Sequence, residues 1–188
     1  LINGIFKRGH REILWAIDCG AVGIVAPHIE TLSQAEELAK AARFGLGGRG
    51  YAGSTRWAGY ATKKMPDLLA QSQDETVVIA QIEEPAAVEI ADSIARIEGI
   101  DGLFAGPADL SVGMGYKNQD SNELKAALKK VGVAAKENGK GYASFIGDAD
   151  QAKSWAEDYG VNMFFVGSEH SFMRNKAKEI SLRVKEIS

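Results

Sequence analysis

Residues 79–115 read IAQIEEPAAVEIADSIARIEGIDGLFAGPADLSVGMG, and this stretch decides the architecture. It opens inside an apolar run, 77–82 (VVIAQI), that breaks at Glu83 and Glu84. Pro85 then suits the first turn of a helix, and Val88, Ala91, Ile94 and Ala95 repeat at helical spacing over 85–97. Glu98-Gly99 ends that helix with a residue free to adopt a left-handed cap. A second apolar run, 102–105 (GLFA), follows and breaks in turn at Gly106-Pro107-Ala108-Asp109. Neither run alternates apolar with polar, so both suit strands covered on two faces, as in a parallel sheet. A strand, a crossover helix and a second parallel strand make one βαβ unit.

The same grammar extends outward. Further strands are expected at 23–26 (GIVA), 142–146 (YASFI) and 163–167 (MFFVG), with a partial one at 1–5. Helices are expected at 11–18, 32–43, 122–137, 148–159 and 171–187, with Thr31 or Ser33 capping the second of these. Asp18-Cys19-Gly20, Asn138-Gly139 and Tyr159-Gly160 punctuate helix ends as Glu98-Gly99 does. The exception is 44–72, whose glycine-rich first part, FGLGGRGYAGSTRWAGYA, is too long for an ordinary connection.

The fold class is therefore α/β, with right-handed crossovers and a single domain over residues 1–188. Polar residues follow the strand ends at His28, Glu83, Asp109 and Ser168, a convergence shared by barrels and doubly wound sheets. An eight-unit barrel takes ~250 residues. Five complete units and a partial sixth strand are readable here, so a (β/α)8 TIM barrel would lack its first two β/α units in this chain.

The 188 residues are 45% hydrophobic and 25% charged, which is ordinary globular usage and excludes a disordered scaffold. The net charge of −3 argues against a nucleic-acid partner held through phosphates. Apolar runs such as 77–80 are too short to cross a bilayer, and no leader pattern opens the sequence. One cysteine, Cys19, excludes an internal disulfide and fits a cytoplasmic location; it reads as buried.

Strand alternation puts Gln81 and Glu83 on one face. Asp109 lies 26 residues beyond Glu83, one βαβ unit away, at the end of the next strand. Adjacent strands are ~4.8 Å apart, so the two carboxylates can grip one ion. Carboxylates select a hard divalent cation, and a cation there can polarise a carbonyl and stabilise an enolate. The alternatives are helix capping by Glu83 or Asp109, or both roles for Asp109. His28 suits either a general base or a structural hydrogen bond. Asp18 opposes the dipole of the helix it ends, so it calls for a partner. Arg49 either anchors the glycine-rich loop or binds an anion, and Arg56-Trp57 suits a lid or a subunit contact. GLGGRG follows a helix and lacks phosphate-loop spacing.

With these residues in view, the chain resembles the HpcH/HpaI aldolase family, metal-dependent class II pyruvate aldolases related to the citrate lyase β subunit. The likeness is carried by GAVGIVAPHIETLSQAEELAKAARFGLGGRG, by the pairing of QIE with GPADLS, and by VNMFFVGSEHSF. It implies a (β/α)8 barrel of the phosphoenolpyruvate/pyruvate superfamily type, a homo-oligomer, and reversible cleavage of a 2-oxo-4-hydroxy acid to pyruvate and an aldehyde. It assigns Mg²⁺, Mn²⁺ or Co²⁺ to Glu83 and Asp109. Gln81 would hydrogen-bond near the pyruvate unit, and the backbone of Gly106, Pro107 and Ala108 would border its carboxylate, with Ala108 as donor. Asp18 takes the place of an aspartate near the neighbouring subunit's site, so Asp18 and Gln81 are the catalytic candidates. The family's early histidine–aspartate pair has no counterpart here, and Gly4 stands where the family has arginine, with Lys7 or Arg8 as substitutes. A citrate or malyl-CoA lyase, and a degenerate assembly subunit without catalysis, are the competing expectations.

Overall fold

The computed structural model describes residues 2–4 and 9–186. Among them, six strands form one sheet: β1 (Ile2–Gly4), β2 (Gly23–Ala26), β3 (Val77–Ile82), β4 (Gly102–Ala105), β5 (Gly141–Ile146) and β6 (Met163–Val166). All neighbours are parallel, and the order is β1-β2-β3-β4-β5-β6. Each strand thus pairs with the next in sequence, so the crossovers all step the same way. A doubly wound sheet would reverse its order at a switch point, and this one does not. Leu1 and Ile5, at the ends of the expected first strand, lie outside the described residues.

The α-helices among the described residues are α1 (His10–Asp18), α2 (Leu32–Ala41), α3 (Met65–Asp74), α4 (Pro85–Glu89), α5 (Ala91–Ala95), α6 (Pro107–Gly113), α7 (Asn122–Glu137), α8 (Ala152–Tyr159) and α9 (Glu169–Lys185). Thr31 caps α2 in a reciprocal box with Gln34. Gly20, Gly99, Gly139 and Gly160 have positive φ at the helix ends where the sequence places them. The helix expected over 85–97 is two short ones, broken at Ile90 (φ −109°, ψ 12°). Helix α3 arises within the segment read as a long connection, with Pro66 near its start.

The sheet has two unlike faces. Ile24, Val78, Ala80, Leu103 and Tyr142 share the main core with the helices. Val25, Ile79, Phe104 and Ala143 form a second cluster, with Val77, Met163 and Phe165 packed against it. Covering on both sides is why these strands read as unbroken apolar runs.

Gly132 shows how closely the helical layer packs. It lies within α7, where glycine costs about 1 kcal/mol relative to alanine. A Cβ there would sit 2.0 Å from the Tyr159 carbonyl oxygen and 3.0 Å from the Tyr142 ring. Gly132→Ala is expected to destabilise the protein by about 1–3 kcal/mol despite its better helix propensity, read as a lower denaturant midpoint.

Candidate active site

The site is built at the C-terminal ends of the strands. Residues after β2, β3 and β4 meet there because those strands are adjacent and in register, with Val25 opposite Ile79 and Gln81 opposite Phe104. Glu83 leaves β3 and is 6% exposed, unusual burial for a carboxylate. That burial raises its pKa above the ordinary value. The backbone N–H of His28 donates to Glu83 Oε2 at 3.1 Å. Gln81 donates to Glu83 Oε1, as expected for two residues on one strand face. His28 Nδ1 lies 2.7 Å from Glu84 Oε1 and 3.2 Å from Glu83 Oε2. The contact with Glu84 leads in raising the imidazole pKa, because it favours the charged ring.

Gly106 separates the two carboxylates. A Cβ on it would meet Glu83 Oε1 at 3.5 Å and Asp109 Oδ2 at 3.4 Å. The tightest contact of that Cβ would be Glu83 Cγ at 3.2 Å, so a side chain here would press on Glu83, whereas the φ of −92° does not itself call for glycine. Pro107 starts α6 after Gly106 at the cap position, so Asp109 lies in the first turn and does not cap the helix. A carboxylate there is favoured by the helix dipole. Ala108 lies in the same turn, where backbone N–H groups have no acceptor within the helix.

Of these residues, Gln81, Gly106, Pro107, Ala108 and Asp109 line a cleft of about 500 Å³, which Glu83 adjoins through Gln81. Phe145, Gln119, Gln151 and Trp155 line it together with Gln81 and Asp109. Sequence reading misses these four as lining residues. The signal for Phe145 is the register: Phe104 pairs with Ala143, so alternation brings Phe145 to the same face two residues later. Glu84 is missed too, although it adjoins Glu83. Trp155 also packs on Tyr159, one helical turn further along α8, with ring centroids 5.2 Å apart.

Asp18 is not brought into this cleft within the chain. It ends α1 just before β2 begins, at the opposite end of the sheet. Its partner is Arg49, whose Nη2 donates to Asp18 Oδ1 at 2.7 Å. The Arg49 side chain is fully buried between Phe44 and Trp57, 4.3 and 4.5 Å from their ring centroids. Arg49 thus anchors the glycine-rich loop, and Trp57 is buried in that anchor, not in an exposed lid. Cys19 is exposed, correcting the buried reading. Lys7 and Arg8 lie outside the described residues.

The donor set suits a divalent cation. His28, Glu83 and Glu84 place ligand atoms within 4.8 Å of one another, and Asp109 adds a carboxylate across Gly106. A buried carboxylate with a raised pKa gains most from a nearby positive charge. Mixed oxygen and imidazole donors accept Mn²⁺ or Co²⁺, and oxygen donors alone suit Mg²⁺.

Fold and site together define a parallel α/β protein with carboxylates clustered beside a cleft at the C-terminal ends of its strands. Residues 6–175 match the family described as HpcH/HpaI aldolase/citrate lyase, and the chain belongs to that family. It is 34% identical over 168 residues to a hydroxypyruvate/pyruvate aldolase of Delftia acidovorans, covering 86% of this chain and 60% of that one. It is 31% identical over 178 residues to a 4-hydroxy-2-oxo-heptane-1,7-dioate aldolase of Escherichia coli, covering 92% and 66%. The chain therefore spans about two thirds or less of these relatives' length. A crystal structure of a family member from Burkholderia cenocepacia J2315 superposes with a TM-score of 0.89 at 27% identity, covering 98% of this chain and 73% of that one. Among the described residues, no helix is long and apolar enough to cross a membrane.

Proposed function

We propose that this chain carries the metal-binding half of a class II pyruvate aldolase, which cleaves a 2-oxo-4-hydroxy acid reversibly to pyruvate and an aldehyde. The observation that carries the reading is that Glu83 and Asp109 flank Gly106 at the ends of adjacent strands, with Asp109 and Gln81 lining the cleft there. The aldolase names of the relatives support it. The one-way strand order suits an arc of a (β/α)8 barrel, in which catalytic groups cluster at this end.

In this reading Glu83 and Asp109 hold a divalent cation, Mg²⁺, Mn²⁺ or Co²⁺. When bound, it supplies positive charge against the carboxylate and 2-oxo oxygens of the substrate and the negative charge that develops there. Gln81 keeps Glu83 in place and presents its amide to the cleft. The Ala108 N–H meets the substrate carboxylate, and Gly106 and Pro107 shape the wall beside it. Cleavage passes the 4-hydroxyl proton to water, turns the C4–O bond into the aldehyde carbonyl as the C3–C4 bond breaks, and leaves that bond's electron pair on the pyruvate unit, whose C3 then takes up a proton from water to give pyruvate. Asp18 serves the Arg49 anchor in its own chain and contributes to catalysis only through a neighbouring copy. A homo-oligomer is supported by α9, none of whose residues is buried and which exposes Phe172, Met173, Ile180 and Leu182. The cytoplasmic assignment rests on the single cysteine. A CoA-thioester lyase needs cations for the CoA phosphates, and the described lining of this cleft is amide, aromatic and acidic.

The test is Mn²⁺ binding with and without oxalate, a planar mimic of the pyruvate enolate. Oxalate is expected to tighten binding by the full chain. Asp109→Asn is expected to weaken binding by more than the ~10–100-fold typical of outer-shell changes. Binding that ignores oxalate, or survives in Asp109→Asn, would sink the assignment.

A further inference from the structure

Glu83 has two carboxylate oxygens, and the structure treats them differently. Oε1 accepts from Gln81 and lies across Gly106 from Asp109. Oε2 is approached from the other side by His28 alone among the contacts described for it, through the backbone N–H at 3.1 Å and through Nδ1 at 3.2 Å. The same Nδ1 is 2.7 Å from Glu84 Oε1. Only a protonated Nδ1 can donate at these distances, so the ring ties two neighbouring carboxylates together. His28 reaches this position in the left-handed region, at φ 54°, an uncommon conformation for a residue with a side chain. Strain of this kind persists where the surroundings over-determine it, and it clusters at functional sites.

Resting on the reading of Glu83 and Asp109 as cation ligands, we propose that His28 and Glu84 are positioning residues of the cation site. His28 holds Oε2 of Glu83, so that Oε1 is presented toward Asp109. Without that hold, rotation of the carboxylate exchanges its two oxygens, and the site must be ordered each time a cation binds. Glu84 acts one step further out: it fixes the ring that fixes Glu83. A partner of this rank is worth about 10–100-fold in metal affinity.

Mn²⁺ titrations followed by electron paramagnetic resonance on the full chain test this. Asparagine tolerates the left-handed region and keeps the backbone donor, so His28→Asn removes only the ring. It is expected to bind Mn²⁺ about tenfold more weakly, and Glu84→Ala similarly, whereas Glu84→Gln keeps an acceptor for Nδ1 and stays within about threefold of wild type. Because both residues act through one oxygen, the double variant His28→Asn/Glu84→Ala is expected to lose no more than the weaker single variant. Spin-echo modulation of the bound Mn²⁺ is expected to show no directly coordinated imidazole nitrogen. Binding within about twofold of wild type in both single variants, or fully additive losses, overturns the proposal. A directly coordinated nitrogen overturns it as well, by making His28 a ligand. Wild-type protein that binds no Mn²⁺ overturns this proposal and the cation reading together. Binding that Asp109→Asn abolishes, but residues 28 and 84 leave unmoved, overturns this one alone. Glu84 is partly exposed and its variants do not disturb the strained backbone, so they carry the test even if His28→Asn folds poorly.

Discussion

Glu83→Gln is expected to abolish divalent-cation binding while leaving the metal-free protein at least as stable as wild type. The two effects separate because Glu83 is a costly residue in the absence of a cation. Its carboxylate is 6% exposed, and burial disfavours its charged form. Glutamine has the same shape and no charge. Its carbonyl still accepts from the His28 N–H, and Gln81 can turn its own amide to accept from the new donor. The neutral side chain therefore keeps the local contacts and removes the desolvation cost, but offers a metal far weaker coordination.

The pH dependence has a definite sign. A carboxyl whose folded pKa is raised binds its proton more tightly in the folded state. Wild-type stability is therefore expected to fall as pH rises from the ordinary carboxyl value through the raised one. Glu83→Gln lacks that decline, so its advantage grows across the window and is flat above it. Thermal melts of chelator-treated protein between acid and neutral pH read the stability, and Mn²⁺ titration reads the site. A variant that melts well below wild type at neutral pH would show that the Glu83 charge stabilises the fold and is not held for a ligand.

Arg49→Ala is expected to be among the most damaging single substitutions away from the cleft. The Arg49 side chain is fully buried, pairs with Asp18 at 2.7 Å, and stacks between Phe44 and Trp57. Burial lowers its pKa, yet Asp18 and the two ring faces favour the charge. Deleting the side chain leaves Asp18 without its cation and a void between two aromatic rings. Breaking a buried pair in this way costs about 3–5 kcal/mol, and the 22% exposure of Asp18 places the loss near the lower end. A domain of this size loses about 2–4 °C in Tm per kcal/mol, so a fall of about 6–12 °C is expected. Arg49→Met should cost less, because it fills the space between the rings and removes Nε and Nη1, which have no hydrogen-bond partner. A methionine variant as damaged as the alanine one would shift the weight from packing to the ion pair. Asp18→Asn should cost less than Arg49→Ala, since the asparagine can still accept from Arg49 and meets water.

Much of the site is legible in the amino-acid sequence. Gln81 and Glu83 can be put on one face because strand periodicity is local, and Asp109 can be put beside them because one βαβ unit brings consecutive strands together. Glycine caps and the Thr31 cap are legible for the same reason: each depends on a few neighbouring residues. Three things are less visible. The break at Ile90 lies within a stretch whose apolar spacing is helical throughout, so pattern alone does not show it. Helix α3 starts at Met65-Pro66 inside a segment dominated by glycine-rich loop signals. The contact of His28 with Glu83 joins residues 55 apart, and that of Arg49 with Asp18 joins residues 31 apart. Neither has a local signature.

By itself, then, the sequence determined the alternation of strands and helices, the parallel sheet, and the two carboxylates at successive strand ends. These follow from hydrophobic periodicity and turn chemistry, which act over a few residues. The tertiary structure decided which end of the sheet each polar residue serves. It sent Asp18 to the far end, where a buried arginine needed a counter-charge, and it brought His28 across from β2 to hold Glu83. Those outcomes depend on strand register and on the cost of leaving a buried charge unpaired, and both are settled only when the whole sheet is assembled.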